Sequence, residues 1–351
     1  MSGSRSASPD DASAGESGPG RAVRRLAARL LTRRPSPSVD LYFLNACADL
    51  VGPHGPVRRV APTVFESPTA RLVIRHDVGA PPPRSGRRLV YLLDDAIFAG
   101  RGDRSLPAWH RLKLHAAECD AARRLLPRLD ALVVSAPGVA EALPAGLLRR
   151  QAEIAALDPY WPDPYAPLDH FGTAGPTIAA FLGAGTHRAS LPFIAETISR
   201  AMRTAPDLRL AISGNHRGRI RLPPDRLSVI EETVWTGYRR AARRLRAHVA
   251  LYPLPPTRHA AARSANKLIE HALIGAAPLY VEDWGPGRAA AAEGAGLALP
   301  RDPEIWAAAL SALAEDRARA RRLAERAQAL ARRLSRPDPQ RALWRRLLEL
   351  P

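Results

Sequence analysis

Short apolar runs recur along the chain in two series. The first comprises residues 39–44, 70–74, 88–93 and 131–135; the second comprises 177–183, 207–213, 227–231, 248–254, 278–282 and 297–300. Such runs are too apolar to alternate and too short for helices, which marks strands buried on both faces. Between them apolar residues return every three to four positions, predicting helices over 107–126, 139–148, 191–204 and 236–247. Strands alternating with helices indicate an α/β protein with largely parallel sheets. The two series are parted by residues 157–167, where prolines at 159, 162, 164 and 167 exclude regular structure. The pattern therefore predicts two Rossmann-like domains, 37–157 and 176–334, joined by a linker over 158–175. Pro53, Pro56, Pro62 and the prolines at 81–83 stand where a full-sized first domain would carry helices, so that domain reads as abbreviated. Asp302-Pro303 starts a long helix to about residue 334, and Pro337 and Pro339 separate it from a last helix over 341–350.

The stretch 263–284 carries the clearest chemistry. Ser264 is a candidate N-cap and Gly275 a candidate C-terminal stop for one helix. Leu268, Ile269, Ala272 and Leu273 share one face of it, while Ser264, Lys267 and Glu270 follow a polar stripe. A helix start beside Arg263 and Lys267 suits an anion such as a diphosphate, and Glu270, one turn deeper, suits sugar hydroxyls. The plainer alternative is a surface helix with a Lys267–Glu270 ion pair.

A second stretch, 178–191, is an apolar run that breaks into Gly183 and Gly185 and then enters a helix. Ligands of open α/β sheets sit beyond the C-terminal ends of strands. Gly183, Gly185, Thr186, His187, Arg188, Ser213 and Gly214 then share a rim with residues 264–270. Glycines admit a phosphate to the backbone, Thr186 and Ser213 donate hydrogen bonds, and Arg188 neutralises charge. Singly, each glycine is as well explained by a turn.

Together the two stretches resemble the nucleotide-sugar-binding half of GT-B glycosyltransferases of the family 4-like group (glycosyl transferases group 1), in a bacterial subgroup. The matching residues are the Gly-x-Gly-Thr-His turn at 183–187, then Ser264, Lys267, Glu270, Gly275 and Pro278. The resemblance spans roughly residues 85–300. It implies a GT-B fold, two Rossmann-like domains facing a cleft, with the C-terminal segment 335–351 crossing back to the first domain. It also implies a hexosyl transfer with retention from a nucleotide sugar, as co-substrate rather than cofactor, to a glycan, lipid-linked or small-molecule acceptor in envelope or exopolysaccharide synthesis. Arg263, Lys267 and the helix start would stabilise the diphosphate leaving group without a metal, and Glu270 would hold the ribose. Asp94 and Asp95 resemble the subgroup's Asp-Asp strand end; one of them would act on the acceptor hydroxyl or orient a base, or else cap the next turn. His76-Asp77 is a weaker candidate for the same rim. His187 would polarise a phosphate or sugar hydroxyl, or simply face solvent. The wider family's Glu-x7-Glu motif has a first glutamate on the transferred sugar, and Ala262 stands at that position. The alternative is accordingly a non-catalytic GT-B-like scaffold that retains nucleotide binding.

Composition adds bounds. The 351 residues suffice for two cores, and the net charge of +18 points to anionic partners. Lys113 and Lys267 are the only lysines, so arginine bias itself raises the charge, and the dispersed arginines form no nucleic-acid reading motif. Residues 1–20 offer almost nothing to bury, and 21–34 place Val23, Leu26, Leu30 and Leu31 among arginines at helical spacing. That segment suits an anionic membrane surface, or docking on its own domain. Cys47 and Cys119 form no metal or disulfide pattern, and no metal site or Ser/His/Asp elbow is present. The expected setting is a reducing cytoplasm, with peripheral contact at the inner face of the membrane.

Overall fold

The computed structural model describes residues 36–75, 86–231 and 234–351. The basic segment 21–34 and the pair His76-Asp77 lie outside the described residues. Two six-stranded sheets organise the rest.

The first sheet contains β1 (Arg58–Ala61), β2 (Val64–Glu66), β3 (Ala70–Ile74), β4 (Arg88–Leu93), β5 (Ala131–Val134) and β6 (Glu153–Ala156), in that order. β3 to β6 run parallel, β2 is antiparallel to β3, and β1 at the edge is antiparallel to β2. β4 and β5 are buried almost throughout, as their unbroken apolar runs require. β1, β2 and β6 were not expected: each has only three or four residues, and β1 and β6 lie at the sheet edges with polar or small side chains.

The expected strand at 39–44 is instead part of a helical segment over 37–50. Phe43, Ala46, Cys47 and Leu50 are all buried, at the i, i+3, i+4, i+7 spacing of one helical face. A short apolar run is compatible with either element, and here the residues that follow it decide. Of the other first-domain helices, α1 is Ile97–Gly100, and α2 (Ala108–Lys113) continues through a π turn and a further helical stretch to residue 125. α3 (Pro137–Glu141) ends earlier than the expected 139–148, since Pro144 and Gly146, with φ at +72°, break the pattern.

The second sheet contains β7 (Ile178–Phe181), β8 (Arg209–Ser213), β9 (Leu227–Ile230), β10 (Val249–Tyr252), β11 (Ala277–Val281) and β12 (Leu297–Leu299). All are parallel, in the order β12-β11-β10-β7-β8-β9. The order reverses between β7 and β10, which creates the crevice where such sheets bind ligands. The connecting helices are α4 (Leu191–Thr204), α5 (Trp235–Arg244), α6 (Arg258–Ala261), α7 (Asn266–Leu273) and α8 (Gly285–Ala292).

The long helix expected to 334 is two, α9 (Pro303–Glu315) and α10 (Arg317–Leu334). Asp316 parts them by accepting a hydrogen bond from Arg319 N–H, so a carboxylate inside an apparently continuous pattern caps a new helix. Pro337 likewise begins α11 (Pro337–Leu347), in the first turn where its missing N–H costs nothing. α11 returns to the first half of the chain. Trp344 Nε1–H donates to Tyr42 O at 2.7 Å, and Gln340 Nε2 donates to Leu41 O at 2.8 Å and Asp158 O at 2.7 Å. Its rings join those of the 37–50 segment, Trp344 meeting Phe43 edge to face at 5.6 Å.

Candidate functional site

Four polar contacts build the second sheet's crevice. β7 ends at Phe181, and Leu182-Gly183 leads at once into a 3-10 segment, Gly185–Ser190. A Cβ on Gly183 would lie 2.8 Å from His187 Cβ, so the turn closes this tightly only with glycine. Ser213 Oγ–H donates to Gly183 O, and Lys267 Nζ–H donates to Leu182 O. Lys267 also pairs with buried Glu270, which receives the Tyr238 hydroxyl on its other oxygen. The glycine turn, the Ser213-Gly214 strand end and the polar stripe of α7 are thereby brought to one place. Gly214 allows a further close approach, since a Cβ there would lie 3.0 Å from Ile230 O. Gly185 faces open space, Thr186 is half-buried and Arg188 is exposed.

Ser264 does not cap α7. The helix begins at Asn266, Ala265 occupies the cap position without a side-chain hydrogen bond, and Ser264 Oγ instead meets the Tyr42 hydroxyl at 3.2 Å. The other end follows the sequence expectation: Gly275 has φ +74°, with Gly275 N–H on Ala272 O and Ala276 N–H on His271 O, a Schellman ending.

The floor of the crevice is rich in cations. His187 is held well below its ordinary pKa by burial, then by Arg263 and Lys267 and by the neighbouring His216 and His259. His216 is pushed down to about 4, chiefly by burial and by Arg219. Both imidazoles are therefore neutral near pH 7. Arg263 Nε is buried with no hydrogen-bond partner, although Arg263 O accepts from Trp284 Nε1–H at 3.0 Å. A guanidinium with an unused donor, next to a lysine and two neutral imidazoles, favours an incoming anion.

Asp94 and Asp95, on the first-domain side, are held by a residue the sequence reading missed. Arg75, at φ +44° just after β3, reaches Asp94 Oδ1 at 2.9 Å, Asp95 Oδ2 at 3.3 Å and Glu118 Oε2 at 3.1 Å. Asp94 also accepts from Ser38 Oγ–H at 2.5 Å. Asp95 is buried, which works against its charge, yet Arg263, His259 and Arg75 together keep its carboxyl well below the usual range. It is an anion tied into an ion-pair cluster.

That cluster crosses between the halves of the chain. His259 of α6 places Nε2 3.0 Å from Asp95 Oδ1 and Nδ1 3.8 Å from Asp103 Oδ2. Thr257 caps α6 and donates its hydroxyl to Asp103 Oδ2 at 2.6 Å. Small residues permit the approach. A Cβ on Gly100 would lie 2.8 Å from His259 Cδ2, and one on Gly138 would lie 3.1 Å from Ala262 Cα. Ala262 packs with Ala96 and Ala142 in a small apolar contact. Ala262 is 5% exposed in this contact, so a larger side chain there would have to displace its neighbours from the first half of the chain.

Besides Arg75, sequence reasoning missed Tyr238, His216 and His259. Nothing in their local sequence announces them, because the partners that matter are distant in sequence: Glu270 for Tyr238, His187 for His216 and Asp95 for His259. 

No protein-family model matches the sequence, and no curated protein matches it significantly. Solved structures do. Sucrose-phosphate synthase from Thermosynechococcus elongatus is 16% identical with a TM-score of 0.53, over 76% of this chain and 69% of that one. HepE from Anabaena, solved with UDP-glucose, is 14% identical with a TM-score of 0.50, over 75% and 72%. A mutant of TarM from S. aureus is 8% identical with a TM-score of 0.55, over 79% and 55%. The two sheets, the crevice between β7 and β10 and these likenesses define a GT-B fold.

Proposed function

We propose that this GT-B chain transfers a hexosyl group from a nucleotide sugar to an acceptor hydroxyl. The reading rests on the meeting of three sequence-distant segments at Leu182 and Gly183, where Ser213 and Lys267 both donate to the backbone beside a cation-rich floor. A diphosphate fits this floor: Arg263 offers an unused donor, Lys267 exchanges the Leu182 carbonyl for a phosphate oxygen, and His187 donates as a neutral imidazole. Negative charge on the departing diphosphate is then stabilised by fixed cations, without a metal. Glu270, released from Lys267, accepts from ribose hydroxyls, with Tyr238 holding its other oxygen. Support also comes from fold neighbours whose structures contain UDP or UDP-glucose. Retention at the anomeric carbon, and a glycan or lipid-linked acceptor in envelope synthesis, complete the proposal. Asp94 and Asp95 then act through the Arg75 cluster as positioning groups at the first-domain wall. The test is a panel of nucleotide sugars assayed for transfer and hydrolysis, with the product anomer read by NMR. Failure of every nucleoside diphosphate to raise the melting temperature would remove the donor site from this crevice.

A second reading, nucleotide binding without transfer, is favoured by Ala262. The position at which the wider family contacts the transferred sugar is here filled by an apolar contact with Gly138. Nucleoside diphosphate binding together with a silent transfer panel would select this reading.

A further inference from the structure

The face of α2 inverts the usual arrangement. Its inward side carries buried His110, and the continuing segment carries Glu118, bound by Arg75 and Lys113. Its outward side carries Trp109 at 62% exposure and Leu112 at 67%. Exposed Ala108, His115 and Ala116 extend this side at helical spacing. Isolated exposed apolar residues are ordinary, but a tryptophan and a leucine one turn apart form a patch. Exposed Arg104 and half-buried Arg101 and Arg111 flank it in the sequence. The sole acidic residue from 96 to 117 is Asp103, which is buried and receives the Thr257 hydroxyl.

We propose that the α2 face docks on an anionic lipid surface, with Trp109 and Leu112 entering the headgroup boundary and the flanking arginines meeting lipid phosphates. Tryptophan suits that boundary, and cations around an apolar tip add attraction to anionic headgroups. A second copy of the chain is disfavoured as occupant, because it would bring arginine against arginine in a protein of net charge +18. The face lies in described structure and is distinct in sequence from residues 21–34. It is also separate from the nucleotide crevice, so the two proposals fail independently.

The experiment uses the full chain and sedimentation with vesicles of equal phosphatidylglycerol and phosphatidylcholine, or of phosphatidylcholine alone. Binding is expected only to the anionic vesicles, and Trp109→Ser/Leu112→Ser is expected to lower the partition coefficient about tenfold or more. Arg104→Gln, a milder change on an exposed residue, is expected to lower it severalfold and to steepen with less salt. Brominated lipid supplies a second readout. Trp161, Trp284, Trp306 and Trp344 are buried and Trp235 is half-buried, so quenching reports mainly Trp109 and is expected to vanish in Trp109→Phe. Nucleotide-induced thermal stabilisation, where the parent shows it, and an unchanged circular dichroism spectrum verify that each variant is folded. The proposal is overturned by no binding of the full chain, by variant binding within twofold of the parent, or by no quenching. It is equally overturned if deleting residues 1–35 abolishes binding that the α2 variants leave intact, or if those variants abolish self-association and not vesicle binding.

Discussion

Lys267→Ala tests whether the polar stripe of α7 is the coupled unit described above. Lys267 and Glu270 side chains are 12% and 3% exposed, so the pair is screened little by solvent. Removing the lysine leaves a buried carboxylate whose remaining partner is the Tyr238 hydroxyl, and it strips Leu182 O of its side-chain donor. Breaking a buried pair on one side costs about 3–5 kcal/mol, and the surviving Tyr238 bond places this case near about 3. Glu270→Gln keeps the shape and most of the hydrogen bonding, leaves Lys267 on Leu182 O, and should cost about 1 kcal/mol. The double variant Lys267→Ala/Glu270→Gln removes both charges and should cost about 2 kcal/mol rather than the additive sum of about 4, a coupling of about 2 kcal/mol. Urea unfolding followed by tryptophan emission, with all variants in one buffer, measures the cycle. A Lys267→Ala loss below about 1 kcal/mol, additive with Glu270→Gln, would show the two groups to be solvated and uncoupled, and the reasoning wrong.

In the same proteins, Lys267→Ala should weaken nucleoside diphosphate binding by about 1.5–3 kcal/mol while sparing the nucleoside, and Glu270→Ala should weaken both alike, as read by calorimetry. Ala262→Glu, which restores the wider family's residue, should destabilise by about 3 kcal/mol or more by forcing an unpaired carboxylate against Gly138; a stable variant with new transferase activity would refute the packing argument. His110, His216 and His248 are each pushed down to about 4, chiefly by burial. The unfolded chain then takes up protons first as pH falls below about 6.5, so stability should drop steadily from there to about pH 4 and stay flat from 7 to 8 with respect to these groups. Melting temperatures across that range measure it, and a profile level from 7 to 5 would contradict the burial of these rings.

The second half of the chain was legible because its strands are near-continuous apolar runs and its helices have clean punctuation. Gly275 stops α7 where its φ of +74° demands glycine, and Pro303 follows a capping Asp302. The first half was less so. Residues 39–44 read as a strand until the buried face Phe43, Ala46, Cys47 and Leu50 is traced past the end of the run. Asp316 was invisible as a break because its neighbours are all strong helix formers, and only its carboxylate on Arg319 N–H separates α9 from α10.

The candidate site divides in the same way. Glycines and a Lys-x-x-Glu stripe are local signals, so Gly183, Lys267 and Glu270 stood out before any fold was known. Ser264 stood out too, for a capping role that Tyr42 displaces by meeting its hydroxyl across 222 positions. Arg75, Tyr238 and His259 carry no local signal at all, yet they bind the carboxylates that do. Arg263 and His259 from one half of the chain and Arg75 from the other keep Asp95 ionised, and Tyr238 holds Glu270 from α5. Motif reading singles out residues whose type is restricted at fixed spacing by backbone approach and charge. The groups that hold them need only reach them through space, and many positions can supply that contact once the two sheets have come together.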